Sequence, residues 1–484
     1  MPLSQNFTKA QVPGDFNLVP IINLIPYTPD MVDAFDNVNT PDRLNIIQMV
    51  KEINIYEDIT KPFISGNLTV VDANNIFEML PIAGFERLEL QLMSPHTDNN
   101  YNFTIETGHP QYIYSVTNRK QLSQNSQVYI IHFCSQEMIR NKTTFVSRAV
   151  NNDFEQIVSD LLHNDLESKK PLFFEKTNSK HKLILPYASP LSHINHICQK
   201  SQSIHHISGN YLFFENINGF HYRSLQSLTN KSDGEPRVNV NGFVYSPKRP
   251  HVRLGGDEQL EYEMSRIKEF EVKKQFNTID RLTGGAFCSE MVTHDILFKK
   301  FKALSYNYNK DFQINAQMDP HSALPTFPFD ARGNAFEDLH SRRYFRSNTS
   351  SLFHLKDSTD TISTAPEEEI YQTMQSKNTM MNDLELDITV PGFLGLSAGD
   401  VIEVELPRYQ GNLPDGIEDR DKKLSGKYLI KAIRHIVELG QRGGHDMILS
   451  LRKDAFNQKL PTTGANTFTA SEKSEDIMID VREL

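Results

Sequence analysis

Gly395-Leu396-Ser397-Ala398-Gly399 has the spacing of a nucleophile elbow, and Asp415 and His435 follow it in the chain order used by α/β-hydrolases. In such an elbow the serine stands on a sharp turn between a buried parallel strand and a helix. Here Asp400 to Leu406 alternates charged and apolar residues, which predicts a strand after the turn instead of a helix. Ser397 is therefore expected in a strand-to-strand turn, without a catalytic role.

Five histidines, His193, His196, His205, His206 and His221, lie near Cys198 and raise the question of a metal, because imidazoles three residues apart on a helix can reach one ion. On a helical wheel with Leu191, Ile194 and Cys198 inward, His196 points away and His193 lies on the flank, so no convergent ligand set is expected. Asp415, Glu418, Asp419 and Asp421 crowd one loop, but the spacing and the place of Gly416 do not suit a calcium loop. No zinc-protease, phosphate-loop or dinucleotide fingerprint occurs; Gly426-Lys427 lacks the upstream glycine and the following Ser/Thr. No catalytic residue, cofactor site or metal site is expected.

Three widely separated cysteines, Cys134, Cys198 and Cys288, cannot form a disulfide scaffold or a zinc ribbon and read as small buried hydrophobes. Fifty basic against 61 acidic residues give a net charge of −11, opposite to what phosphate neutralisation demands of a tight nucleic-acid binder. The chain has no Trp beside 30 Phe and 17 Tyr, which weakens a sugar-stacking reading. No apolar run approaches the ~18–20 residues of a membrane-spanning helix, and the opening Met1-Pro2-Leu3-Ser4-Gln5-Asn6 lacks a signal-peptide pattern, so synthesis and residence in a cytoplasm are expected.

At 484 residues the chain has room for two to four domains. Residues 1–43 are proline-interrupted and read as an arm with one strand, Val19 to Ile25. From 44 to 146, β-branched and aromatic runs bounded by Pro62 and Asp72, then the strict alternation Arg87-Leu88-Glu89-Leu90-Gln91-Leu92, predict a first β domain. Helical spacing follows: Phe154, Ile157, Val158, Leu161 and Leu162 after Asn152 or Asp153, then Leu191, Ile194, Ile197 and Cys198 after a Ser189-Pro190 start. A hairpin turning at Ile217-Asn218-Gly219 completes an α+β insert at 147–230.

Met264, Ile267 and Phe270 suggest a helix over 260–276, with strands resuming from Ala286 to Tyr308. Residues 309–363 read as a long polar loop or embracing arm. Acidic Glu367, Glu368 and Glu369 should open a helix running to about Asn382. Four further strands, Leu384–Val390, Val401–Leu406, Tyr428–Glu438 and Met447–Leu451, with 231–308 predict a second β domain. It repeats the style of the first, a strand ending near Val70 or Val390, a glycine turn, and an alternating acidic strand. Residues 457–484 read as a tail. The fold class is mainly β with an α+β insert: two antiparallel β domains plus smaller α+β parts.

Met49-Val50-Lys51-Glu52-Ile53-Asn54-Ile55-Tyr56-Glu57-Asp58-Ile59, with Pro62 through Asp72 and Leu80-Pro81-Ile82-Ala83-Gly84, resembles the first tube domain of baseplate hub proteins of contractile-tailed bacteriophages. Tyr211 to Asn216, Gly219-Phe220, Val390-Pro391-Gly392, Ala398 to Ile402 and Leu424 to Ile430 extend the resemblance in the same order over about two thirds of the chain. It implies two tube-type antiparallel β-barrel domains per chain and a homotrimer in which they build a pseudo-sixfold ring in a virion tail baseplate. It also implies a tail tube protein, a central spike and other baseplate proteins as partners, DNA passing through without specific binding, and no enzyme activity. A tail-associated peptidoglycan hydrolase and a receptor- or glycan-binding tail protein are the alternatives. With Ile402, Val404 and Leu406 inward, Glu403 and Glu405 are the expected tube- or channel-facing residues.

Overall fold

The computed structural model of the 484-residue chain describes residues 19–25, 43–75, 84, 86–93, 101–105, 107, 109–178, 181–205, 209–229, 242–245, 265–295, 299–311, 318–319, 321–322, 340–348, 366–407, 420–421, 423–439 and 444–456. The tail after 457, most of the arm and most of the polar stretch 309–363 lie outside these residues.

The first module contains β1 (Val19–Ile25), β2 (Leu44–Asn45), β3 (Val50–Asp58), β4 (Ser65–Asp72), β5 (Arg87–Met93), β6 (Tyr101–Phe103), β7 (Gln111–Ser123) and β8 (Ser126–Ser135). Alternation decides the facing: Leu88, Leu90 and Leu92 are fully buried, as are Ile53, Ile55 and Leu68. Each such side chain contributes about 1.5–3 kcal/mol relative to exposure. Gly66 is required in β4, because a Cβ there would stand 2.2 Å from the Phe133 ring and 2.4 Å from the Asn54 carbonyl oxygen. The arm's strand β1 pairs with β5 along its whole length and so belongs to this module.

An α+β insert follows, with β9 (Val146–Asn152), β10 (Leu172–Phe174), β11 (His181–Ala188), β12 (Tyr211–Asn216) and β13 (Gly219–Ser224). Its helices Phe154–Asp160 and Pro190–Lys200 bury Ile157, Val158, Ile194 and Ile197 in a separate core.

The second module is built from β14 (Gly242–Tyr245), β15 (Arg266–Ile267) and β16 (Glu269–Lys274). After β17 (Cys288–Asp295), β18 (Lys300–Asn307), β19 (His321–Ser322), β20 (Arg342–Asn348) and the helix Pro366–Met381, it resumes with β21 (Leu384–Pro391), β22 (Val401–Glu405), β23 (Gly426–Glu438) and β24 (Gly444–Lys453). The two-residue β25 (Ala455–Phe456) pairs with β19. Leu386, Ile388, Ile402, Val404, Tyr428 and Leu449 form the core.

The strand order is the same in both modules. The first runs β3-β4-β8-β7-β5-β1-β2 and the second β16-β21-β24-β23-β22-β14-β15. β2 leads into β3, and β15 into β16, so each path returns on itself as a small barrel. One irregularity coincides: the register shifts between Ile113 and Ser115 against β8, and between Ile430 and Ala432 against β24, whereas two further shifts in β7, between Thr117 and Lys120 and between Gln121 and Ser123, have no counterpart in β23. One orientation differs, since β1 is antiparallel to β5 whereas β14 is parallel to β22. The modules join edge to edge where β3 pairs antiparallel with residues 432–438 of β23, making one 15-stranded sheet.

Two expectations are corrected. The described part of 260–276 forms chiefly strands β15 and β16, because Glu269-Phe270-Glu271-Val272 alternates at period two, placing Phe270 and Val272 against the second core. β17 and β18 do not join the second barrel; they pair with each other and with β20 in a separate sheet.

Candidate functional site

Ser397 sits in the turn between β21 and β22, two strands of an antiparallel sheet, and is buried. Its backbone N–H donates to Asp400 Oδ2 at 2.9 Å, and its hydroxyl accepts from Asn218 Nδ2 at 3.3 Å. Gly399, at φ +99, lets the turn reverse so that its N–H reaches the Ile430 carbonyl at 2.9 Å. His435 faces elsewhere: its Nδ1 lies 3.1 Å from His445 Nε2, and its ring meets Tyr101 edge-on. Burial pushes His435 well below the usual imidazole range and His445 down to about 4. Asp415 lies outside the described residues. Ser397→Ala removes one hydrogen bond of about 1 kcal/mol and should leave folding and assembly intact. A covalent adduct at Ser397 with a serine-hydrolase probe would contradict this.

The histidines near Cys198 diverge. His193 is buried, not flanking as the wheel suggested, with Nε2 3.3 Å from the Val146 carbonyl. His221 stacks between Phe173 and Phe214, and burial with the nearby Arg223 lowers it to about 3. His196 and His205 are exposed, and His206 is outside the described residues. Among the described residues no three His, Cys, Asp or Glu side chains gather as metal ligands. A cleft of about 250 Å³ between insert, helix Pro366–Met381 and second module includes Cys198, whose thiol burial pushes up to about 12, too high for a nucleophile.

The charged groups that do converge are buried and hold parts together. Glu57, third in the inward series Ile53, Ile55, Glu57, accepts from Tyr101 Oη and the Ile217 N–H (3.1 Å), and from the Ala398 N–H (3.0 Å). One carboxyl thus ties the first module, the β12–β13 turn and the β21–β22 turn. Burial raises its pKa to about 7. Nearby, Lys170 Nζ lies 2.9 Å from Glu137 and 2.6 Å from Glu215, all three buried. Glu215 also accepts from Ser135 Oγ (2.6 Å) and the Ile64 N–H (2.9 Å), at the start of β4. These anchors were not singled out from sequence, though a Glu at an inward position of an apolar strand was a readable signal in both β3 and β12.

Surface features lie on the sheet. On β22, Ile402 and Val404 are buried while Glu403 and Glu405 turn outward, half-exposed. Glu403 stands opposite Lys427 on β23 and Gly242 on β14, and Glu405 pairs with Arg420 at 3.3 Å. At the module joint, Arg434 donates through Nε to Asn54 Oδ1 at 2.9 Å and covers the Tyr56 ring, its guanidinium carbon 5.9 Å from the centroid. The assembled geometry is that of backbone edges and charged faces, without a nucleophile–base pair among the described residues.

The chain is similar to two tail proteins of known structure. The tail protein from Neisseria meningitidis MC58 aligns over 91% of this chain and 99% of its own, at 11% identity and a TM-score of 0.48. The 43 kDa tail protein of prophage MuSo2 from Shewanella oneidensis aligns over 90% and 98%, at 8% identity and the same TM-score of 0.48. An Escherichia coli component of the type VI secretion system, described as structurally similar to T4 tail proteins gp27 and gp5, aligns over 86% and 77% at 9% identity and a TM-score of 0.39. No family model matches the chain, and no curated protein matches it. Among the described residues no helix is long and apolar enough to cross a membrane.

Proposed function

We propose that the protein is a structural hub of a contractile phage tail, three copies forming a ring between a sixfold tail tube and a threefold central spike around the DNA passage. The observation that carries this reading is the repetition within one chain: two barrels of identical strand order, joined edge to edge, give three chains six near-equivalent units. The resemblance of the β3–β4 segment to the first tube domain of hub proteins, continued at Val390–Gly392, Ala398–Ile402 and Leu424–Ile430, supports the same reading. Residues 44–146 and 231–308 with 383–456 are the two tube domains in this proposal, with strand β1 added to the first and the β17–β18 sheet removed from the second. The insert at 147–230 and the stretch 309–382 decorate the ring. The role is mechanical and needs no catalytic centre.

In this arrangement Glu403 and Glu405 present negative charge to the tube or to the channel, where it repels passing DNA instead of retaining it. Glu403→Lys with Glu405→Lys should lower stability by about 1 kcal/mol and the melting temperature by only a few degrees, since it removes the half-exposed Glu405–Arg420 pair and sets like charge opposite Lys427. The same variant should impair tail assembly or DNA delivery in a complementation assay. Normal infectivity with the variant in the virion would remove these two side chains from the functional surface; loss of folding would contradict their outward facing.

A further inference from the structure

The three-stranded sheet β18-β17-β20 packs one face on the helix Pro366–Met381. On that side Ser289, Met291 and Thr293 are buried, and Gln372 Nε2 donates to the Ser289 carbonyl at 2.9 Å. The Arg346 guanidinium carbon stands 4.0 Å from the Tyr371 ring centroid. Directly opposed residues of neighbouring strands share a face, so Phe301 with His294, and Ala303 with Val292 and Phe345, point the other way. Phe301 is 67% exposed and Phe345 70%, and Ala303 is exposed between β18 neighbours. The polar groups of this face are engaged within the sheet: Glu290 pairs with Arg343 at 3.0 Å, Ser305 Oγ lies 3.1 Å from His340 Nε2, and His294 stacks on Phe301. What stays exposed among the described residues is chiefly apolar, and a contiguous apolar patch marks a contact surface.

We propose that residues 474–484 of the same chain lie extended over this face, with Ile477, Ile479 and Val481 against Phe301, Val292 and Phe345. The point of departure favours this occupant. Phe456, the last described residue, packs on the cluster of Phe287, Tyr306 and Tyr308, at the foot of β17 and β18. Residues 457–473 can span roughly 50 Å when extended, against about 26 Å for the eight residues of β18. The sequence fits as well: Ile477-Met478-Ile479-Asp480-Val481 sets three β-branched residues at period two. Charge is complementary. Residues 474–484 hold Glu475, Asp476, Asp480 and Glu483 against the single Arg482, while Lys299, Lys302 and Arg346 are exposed at the end of the sheet beside Phe301. A segment tethered this closely has an effective concentration in the millimolar range, which favours it over a second copy or another protein.

Because the chain contains no Trp, Ile479→Trp in the 484-residue protein places a single indole in the segment, and Val481→Trp does the same two residues on. The expected result in at least one of the two is blue-shifted emission shielded from acrylamide and independent of protein concentration. Adding Phe301→Ser with Phe345→Ser should return that emission to the solvent-exposed position while moving the melting temperature by only a few degrees, since both rings are exposed. Solvent-exposed emission from both single variants at every concentration would overturn the proposal and leave the face to another protein. Shielding that ignores Phe301→Ser with Phe345→Ser would overturn it by placing the segment elsewhere. Shielding that appears only as concentration rises would overturn it in favour of the segment of a second copy.

Discussion

Lys170→Met is expected to lower stability by about 3–5 kcal/mol and to release the insert from the first module. The ammonium is the cation shared by the buried Glu137 and Glu215, at 2.9 and 2.6 Å. Removing one partner of a buried charged set costs that much because the remaining charges stay desolvated without compensation. Burial works against the charged amine, yet Glu137 and Glu215 together hold Lys170 above the ordinary lysine range. The loss should spread beyond the triad, because Glu215 also binds the Ile64 N–H and Ser135 at the entrance to β4. Thermal unfolding and limited proteolysis read the effect, with early cleavage expected inside 147–230. Adding Glu137→Gln and Glu215→Gln to Lys170→Met should recover part of the stability. An unchanged melting temperature in the single variant would refute the anchoring role of the triad.

Glu57→Ala should be of similar size. It strands the Tyr101 hydroxyl and the Ile217 and Ala398 N–H groups in a buried site, at about 1–3 kcal/mol for each unsatisfied donor. The same carboxyl sets a pH dependence. Its folded pKa, about 7, lies above the ordinary 4.5 because burial disfavours the charge. Between these two values the native state binds the extra proton, so this group's contribution to stability is full below about 4.5 and falls as pH rises toward 7. The wild-type melting temperature should carry this downward component between pH 5 and 7, and Glu57→Gln should remove it whatever its fixed cost. An identical pH slope in Glu57→Gln would show that the carboxyl does not titrate in this window.

Much of the fold was legible because strand alternation is local. Leu88-x-Leu90-x-Leu92 and Ile402-x-Val404 put the same residues inward in the sequence and in the structure. The helices starting after Asp153 and Ser189 declared themselves by apolar spacing and start signals. Ambiguity arose where two periods overlapped: Ile267 and Phe270 fit a helical face, but pairing of Glu269–Lys274 with β21 decided for a strand. Whether β17 and β18 joined the barrel depended on β20, some fifty residues further on, and such non-local pairing leaves no mark within a single strand. The motif residues could be dismissed from context, since a glycine turn between alternating strands does not build an elbow. The buried anchors are a different case: Lys170 and its two carboxylates come from 137, 170 and 215, and only the fold brings them together.

The central claim is that two equivalent modules in each chain assemble as three chains in one ring. The most direct measurement is the mass of the intact particle in solution, taken over a concentration series under non-denaturing conditions. A species of three times the 55.5 kDa chain is expected to grow at the expense of monomer as concentration rises. A protein that remains monomeric throughout, or that settles as a dimer or tetramer, would contradict it.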